Sequence, residues 1–109
     1  RRLGVDLNHA LIQHYRDGSD FIGEHSDKTL DVVPGSLIVN FTVGATRHLR
    51  LRKKGESADA AQRVPLSHNS AFLFDLESNA KWVHEIRPDQ RPDTTKCADE
   101  LREGGARIS

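Results

Sequence analysis

His25-Ser26-Asp27 places an imidazole and a carboxylate two residues apart, just after the apolar pair Phe21-Ile22. In an extended segment, residues i and i+2 point to the same face, so both side chains can reach one ion. His84, in the strand-like run Trp82-Val83-His84, offers a third donor. Two imidazoles and one carboxylate form a facial set suited to Fe(II), with the remaining positions open to a cosubstrate, O₂ and water. Each piece also has an ordinary explanation. H-x-D arises by chance in many loops, and a lone strand histidine is often simply packed.

Other residues extend this chemistry. Arg107 lies beyond the second histidine and can grip the far carboxylate of a dicarboxylic cosubstrate bidentately. Tyr15 can donate a phenolic hydrogen bond to the same carboxylate. Arg47, Arg50, Arg52, Lys53 and Lys54 put five cations into eight positions. Such a stretch protects an edge strand against aggregation, or it holds nucleic-acid phosphates and makes binding salt-dependent. Trp82 can stack a flipped base or pack beside the metal ligands. Cys97 stands in a polar stretch and has no second cysteine to pair with, so a disulfide framework within the chain is excluded.

The elements that must carry these residues are short and β-like. Ala10–Tyr15 precedes the turn Arg16-Asp17-Gly18-Ser19, and Phe21–His25 leads into a polar loop running through Asp31. Ser36–Val43 alternates, with Leu37, Val39, Phe41 and Val43 expected toward the core and Ser36, Asn40 and Thr42 on a mostly polar face. Gly44-Ala45 breaks that run. Thr46–Arg52 alternates again, Leu49 and Leu51 opposing His48, Arg50 and Arg52. Residues 53–63 form a polar loop, and Val64-Pro65-Leu66 a short edge piece, because proline removes a ladder donor. Ala71–Leu76 and Lys81–Ile86 are strand-like, Ala98–Arg102 is a short helix, and Arg107-Ile108-Ser109 begins a final strand. Short strands at fairly regular spacing predict an all-β sandwich or barrel, and the pattern alone does not choose between them.

Composition sets outer bounds. The chain has 109 residues, 36% hydrophobic and 29% charged, with zero formal net charge. That is enough for one domain, 1–109, with a modest core. Zero net charge argues against a general polyanion binder while leaving room for a local basic patch. No apolar run approaches the ~20 residues of a membrane span, and Arg1–Asp6 lacks the apolar stretch of a secretory leader. An intracellular setting, nucleus or cytoplasm, is expected. With no initiating Met, the chain is expected to begin inside a longer protein and to be incomplete at both ends. Nothing in the sequence sets an oligomeric state.

The order of the pieces adds a further signal. Tyr15, His25-x-Asp27, Pro34-Gly35-Ser36 with its strand, Gly44-Ala45-Thr46-Arg47, His84 and Arg107-Ile108-Ser109 follow one another as in the AlkB-like Fe(II)/2-oxoglutarate dioxygenases. Tyr15 through Asp27 resembles the eukaryotic AlkB homologues. Asn40–Arg47 resembles their strand ending in Gly-Ala-x-Arg, and Leu66–Leu73 their Leu-x-His-Gly-Ser/Thr strand start. The resemblance spans nearly the whole chain, with gaps near 53–63 and 88–104.

This resemblance implies a double-stranded β-helix, or jelly roll. It implies Fe(II) on His25, Asp27 and His84, with Tyr15 and Arg107 on 2-oxoglutarate and O₂ as co-reactant. Gln13 and Ser109 stand where the family often has asparagines. A second family arginine, six residues after the first, lies beyond the end of this chain. Lys28-Thr29-Leu30 replaces acidic residues that often follow H-x-D. The implied reaction is oxidative dealkylation of nucleic-acid bases, with DNA or RNA contacted through Arg50, Arg52, Lys53 and Lys54. Two alternatives stand beside it: the same iron chemistry on a protein side chain or small molecule, and a jelly roll that binds metal or ligand without turnover.

Overall fold

The computed structural model describes residues 7–30 and 32–109. The opening Arg1–Asp6 and the loop residue Asp31, both named above, lie outside them. In chain order the strands are β1 (His14–Tyr15), β2 (Ile22–His25), β3 (Leu37–Gly44), β4 (Arg47–Lys53), β5 (Gln62–Leu66), β6 (Ser70–Asp75), β7 (Trp82–Ile86) and β8 (Arg107–Ile108). Two short helices, α1 (Leu76–Lys81) and α2 (Ala98–Leu101), interrupt them.

The strands form two four-stranded antiparallel sheets, ordered β1-β8-β3-β6 and β2-β7-β4-β5. The chain crosses from one sheet to the other at every connection except the β4–β5 hairpin. Two facing sheets linked in this way make a jelly-roll-like all-β core, so sequence-distant residues meet between the layers. Tyr15, Leu49, Leu66 and Ile86 are buried there, with Ile22, Leu51 and Phe72 packed against them.

Several boundaries differ from the sequence expectation. Only His14–Tyr15 of the Ala10–Tyr15 run pairs as strand, and Leu11 and Ile12 are 77% and 75% exposed. The polar loop after β4 ends earlier than expected, because Gln62 and Arg63 already pair with β4. Pro65 sits on this edge strand, where a missing N–H costs little. Residues 76–81 form a helical turn instead of a bare strand break. Asp75 caps it, its carboxylate accepting from the Ser78 N–H at 2.7 Å.

The largest correction concerns β3. Its even positions face the interior. Thr42 is fully buried while Phe41 is 51% exposed. Asn40 and Ile38 pair with Phe72 and Phe74 of β6, which face the core and His84 respectively. The polar-looking face therefore lines the space between the sheets, and Phe41, Leu73 and Ile108 of the same sheet are exposed. A polar inner face is what a jelly roll needs when its interior holds a polar ligand rather than a dry core.

Gly44 ends β3 at φ +104°, and a Cβ there would lie 2.5 Å from the Ala106 carbonyl oxygen. Only glycine allows this approach, which seats β8 beside β3. Asn69 has φ +63° in the turn before β6, at the position where the resembling family has glycine. Asparagine is among the few other residues that tolerate that conformation.

Candidate metal and cosubstrate site

His25 ends β2 and His84 lies on the adjacent β7, while Asp27 follows in the loop just past β2. β2 pairs with β7 through Ile22↔Ile86 and His25↔His84, so three steps along β2 match two along β7. The extra residue is a bulge, which breaks the pairing and turns the H-x-D segment. Its result is convergence. Ligand atoms of His25, Asp27 and His84 all lie within 4.8 Å of one another. Asp27 Oδ1 is 3.3 Å from His25 Nε2 and 3.5 Å from His84 Nε2, and the two imidazole centroids are 4.4 Å apart.

Hydrogen bonding and charge fit the same purpose. His25 Nδ1 lies 2.7 Å from the Gly23 carbonyl oxygen. A carbonyl can only accept, so Nδ1 donates to it, which orients the ring with Nε2 toward Asp27. Asp27 is held below the usual carboxylate range, first by its hydrogen bond with His84 and then by the charges of both histidines, against the cost of partial burial. It is therefore an anion at neutral pH. Two imidazole nitrogens and one carboxylate on one side of a point suit a divalent transition metal.

The second cluster lies on the other sheet. Tyr15 and Arg107 are direct cross-strand partners in β1 and β8. Gln13 and Ser109 follow in the same register, exchanging backbone hydrogen bonds of 2.8 and 3.0 Å. Alternation puts all four side chains on one face. The Arg107 guanidinium lies 4.8 Å from the Tyr15 ring centroid, and its Nη2 donates to Thr42 Oγ1 at 2.9 Å. Its Nε and Nη1 are buried without a partner, as is Ser109 Oγ. A buried guanidinium left with unmatched donors is costly. The free donors match the two oxygens of a carboxylate. Burial pushes the Tyr15 phenol up, although Arg107 and Arg47 pull it down. It is accordingly a neutral donor at physiological pH.

A cleft of about 460 Å³ opens beside His84, lined by Leu51, Gln62, Phe72, Phe74 and Trp82 among others. Phe74 meets the His84 ring edge-on, 5.6 Å between centroids. Trp82 is half-buried in the wall of this cleft.

The basic stretch is divided by the fold. Arg50 pairs with Glu85 at 3.0 Å and donates to the Ala58 carbonyl. Arg52 pairs with Glu24 at 2.5 Å and donates to the Glu56 carbonyl. Lys53 and Lys54 are exposed, Lys53 opposite Trp82. Arg47, counted above with these cations, is instead buried. It donates to the carbonyls of Asp17, Asp20 and Arg87 at 3.4, 3.0 and 2.5 Å. Its position on the inward face of β4, in register with Leu49, explains the difference. Thr42 and Asn79 were not legible as site residues, because their partners lie 65 and 52 positions away.

Comparison with known proteins agrees with this geometry. The sequence profile of the 2OG-Fe(II) oxygenase superfamily matches residues 2–109. The chain is 37% identical over 89 residues to the Homo sapiens protein named DNA oxidative demethylase ALKBH2, covering 76% of this chain and 34% of that one. It is 29% identical over 90 residues to alpha-ketoglutarate-dependent dioxygenase alkB homolog 3 of Rattus norvegicus, covering 76% and 30%. It is 32% identical over 84 residues to uncharacterized protein R406 of Acanthamoeba polyphaga mimivirus, covering 77% and 42%. The aligned part thus spans about a third of the length of the curated relatives it matches. With His25, Asp27 and His84 converging at one sheet, a buried arginine with unmatched donors on the other and a family match along nearly its whole length, this chain belongs to the 2OG-Fe(II) oxygenase superfamily, among its AlkB-like members.

Proposed function

We propose that the protein is an Fe(II)- and 2-oxoglutarate-dependent oxygenase that removes alkyl groups from nucleic-acid bases. One observation carries the cosubstrate assignment: the buried Arg107 keeps two nitrogens unmatched in a fold that elsewhere gathers His25, Asp27 and His84 around one point. Those three residues would hold the metal. Bound there, Fe(II) supplies the coupling of 2-oxoglutarate decarboxylation to hydroxylation of a substrate C–H bond.

The chain's own side chains prepare that step. Arg107 takes the far carboxylate of 2-oxoglutarate, and the neutral Tyr15 hydroxyl donates to the same group. Fixing one end of the dicarboxylate orients the keto-acid end, which lowers the entropic cost of reaction. Phe72, Phe74 and Trp82 give the cleft beside His84 apolar walls, suited to the flat faces of a base. Oxidation of an N-methyl group consumes one 2-oxoglutarate and one O₂ and yields succinate, CO₂ and an N-hydroxymethyl group. The latter breaks its C–N bond to give formaldehyde and the repaired base.

The nucleic-acid substrate rests on the names of the relatives, on the aromatic cleft, and on Lys53 and Lys54 near Trp82. A second reading keeps the iron chemistry but takes a protein side chain or small molecule. It is favoured by zero net charge and by the ion pairs that already occupy Arg50 and Arg52. The test is turnover by the full-length protein with methylated oligonucleotides, Fe(II) and 2-oxoglutarate, measuring formaldehyde and succinate together. Formaldehyde matched to succinate supports base dealkylation. Succinate without oligonucleotide repair favours the second reading, and no succinate from any substrate overturns both.

A further inference from the structure

The metal ligands sit on two segments of chain, 25–27 and 84, and something must fix one against the other. The β2–β7 ladder holds His25 opposite His84, but β2 ends there, so no ladder pairing places Asp27. Beyond His25, the H-x-D segment is in a loop. A carboxylate on a loose loop would pay ordering entropy each time it bound a metal.

Asn79 answers this need. It lies on α1 and is only 5% exposed. Its Oδ1 accepts from the Asp27 N–H at 2.9 Å, and its Nδ2 donates to the Asp27 carbonyl at 3.0 Å. The side-chain amide thus grips both polar groups of one residue's backbone. Two bonds at opposite ends of residue 27 fix its orientation as well as its position, and so the direction of its Cα–Cβ bond.

A third bond works beside these. Ser26 Oγ donates to the Trp82 carbonyl at 2.7 Å. The middle residue of H-x-D is therefore tied to the first residue of β7, two places before His84. Asn79, Trp82 and His84 belong to one short stretch of chain. That stretch both supplies the third ligand and holds the segment bearing the other two.

We infer that Asn79, assisted by Ser26, is a positioning residue that sets the Asp27 carboxylate for metal binding. This rests on the metal-site reading given under the proposed function. Asn79 does not ligate the metal, since its amide is spent on the Asp27 backbone. It borders the cleft beside His84, yet both its polar atoms are engaged by the Asp27 backbone. Removing such support from behind a ligand typically weakens metal affinity about 10- to 100-fold.

The experiment is titration of the full-length protein with Mn(II), without cosubstrate, following free Mn(II) by electron paramagnetic resonance. Each variant is first shown to be folded by circular dichroism at the titration temperature. Asn79→Leu keeps the branching of the side chain and removes both bonds; it is expected to weaken Mn(II) binding about 10- to 100-fold. Ser26→Ala, which removes one hydrogen bond, is expected to weaken it about threefold or more, and Ser26→Thr, which keeps the hydroxyl, to restore it. A purely structural role would lower the metal-free melting temperature and leave Mn(II) affinity unchanged in the folded protein. That result for Asn79→Leu, or for Ser26→Ala where Asn79→Leu does not fold, overturns the inference while the metal site stands. Failure of the wild-type protein to bind Mn(II) removes the metal reading itself.

Discussion

Tyr15 and Arg107 face each other directly across the β1–β8 pair, the guanidinium 4.8 Å from the phenol ring centroid. The ring shields a buried cation whose Nε and Nη1 find no hydrogen-bond partner among the described residues. Such a pair is stable when an anion completes it. Arg107→Ala is expected to raise the KM for 2-oxoglutarate about 10- to 100-fold, with a smaller effect on kcat, since a hydrogen bond to a charged group contributes about 1.5–3 kcal/mol. Steady-state kinetics over a 2-oxoglutarate series checks this, and an unchanged KM removes Arg107 from the site.

β8 depends on a glycine for its seat. Gly44→Ala puts a methyl group against the Ala106 carbonyl and the Arg107 Cα at 2.5 and 2.9 Å, and does so at φ +104°. The backbone strain alone costs about 1–3 kcal/mol, and the steric clash adds to it by pushing β8 away. The variant is expected to melt at lower temperature and to lose 2-oxoglutarate affinity together, because Arg107 moves with the strand. Thermal melting with and without 2-oxoglutarate measures both. A melting temperature equal to wild type would show that the β3–β8 approach is not tight.

Acid stability depends in part on Asp89. Its hydrogen bonds with Arg91, assisted by the charge of Lys96, hold its carboxyl at about 2. The folded-state value lies below the unfolded one, so the unfolded chain binds more protons between them. Asp89 therefore stabilises the protein fully above about pH 4, and that contribution fades as pH falls through about 2. Arg91 is about half exposed, and solvent screening reduces the effect to about 1 kcal/mol. Asp89→Asn is expected to lower stability by that amount at pH 7 and by progressively less as pH falls through about 2. Denaturant melts at a series of pH values check the convergence; a difference that widens in acid contradicts it.

The basic stretch is expected to behave as two groups. Lys53→Ala with Lys54→Ala is expected to weaken oligonucleotide binding and to make the logarithmic salt slope shallower, by about 0.7 to 0.9 for each phosphate no longer neutralised. Arg50→Ala with Arg52→Ala leaves Glu85 and Glu24 short of partners, and is expected to cost about 1 kcal/mol of stability with a smaller change in slope. Binding across a salt series, paired with melting curves, separates them. A flat salt response in the wild type would favour the protein or small-molecule substrate.

The sequence by itself determined the donor types and their local spacing. His25 and Asp27 are two residues apart, and His84, Tyr15 and Arg107 lie in β-favouring runs, because strand periodicity is a local property. Alternation in β4 placed Leu49 inward correctly for the same reason. Tertiary structure decided the rest. Which face of β3 points inward depended on Thr42 meeting Arg107, 65 positions away, and this overrode the apolar pattern of Leu37, Val39, Phe41 and Val43. Arg47 looked like one cation among five, until three carbonyls from distant loops closed around it. Arg50 and Arg52 found carboxylates on other strands of their sheet, β7 and β2. Asn79 carried no local mark at all, since an amide becomes a clasp only when the Asp27 backbone is brought to it. Side-chain type is written in the chain, but the partner of each buried polar group is chosen by long-range packing, where leaving it unpaired is costly.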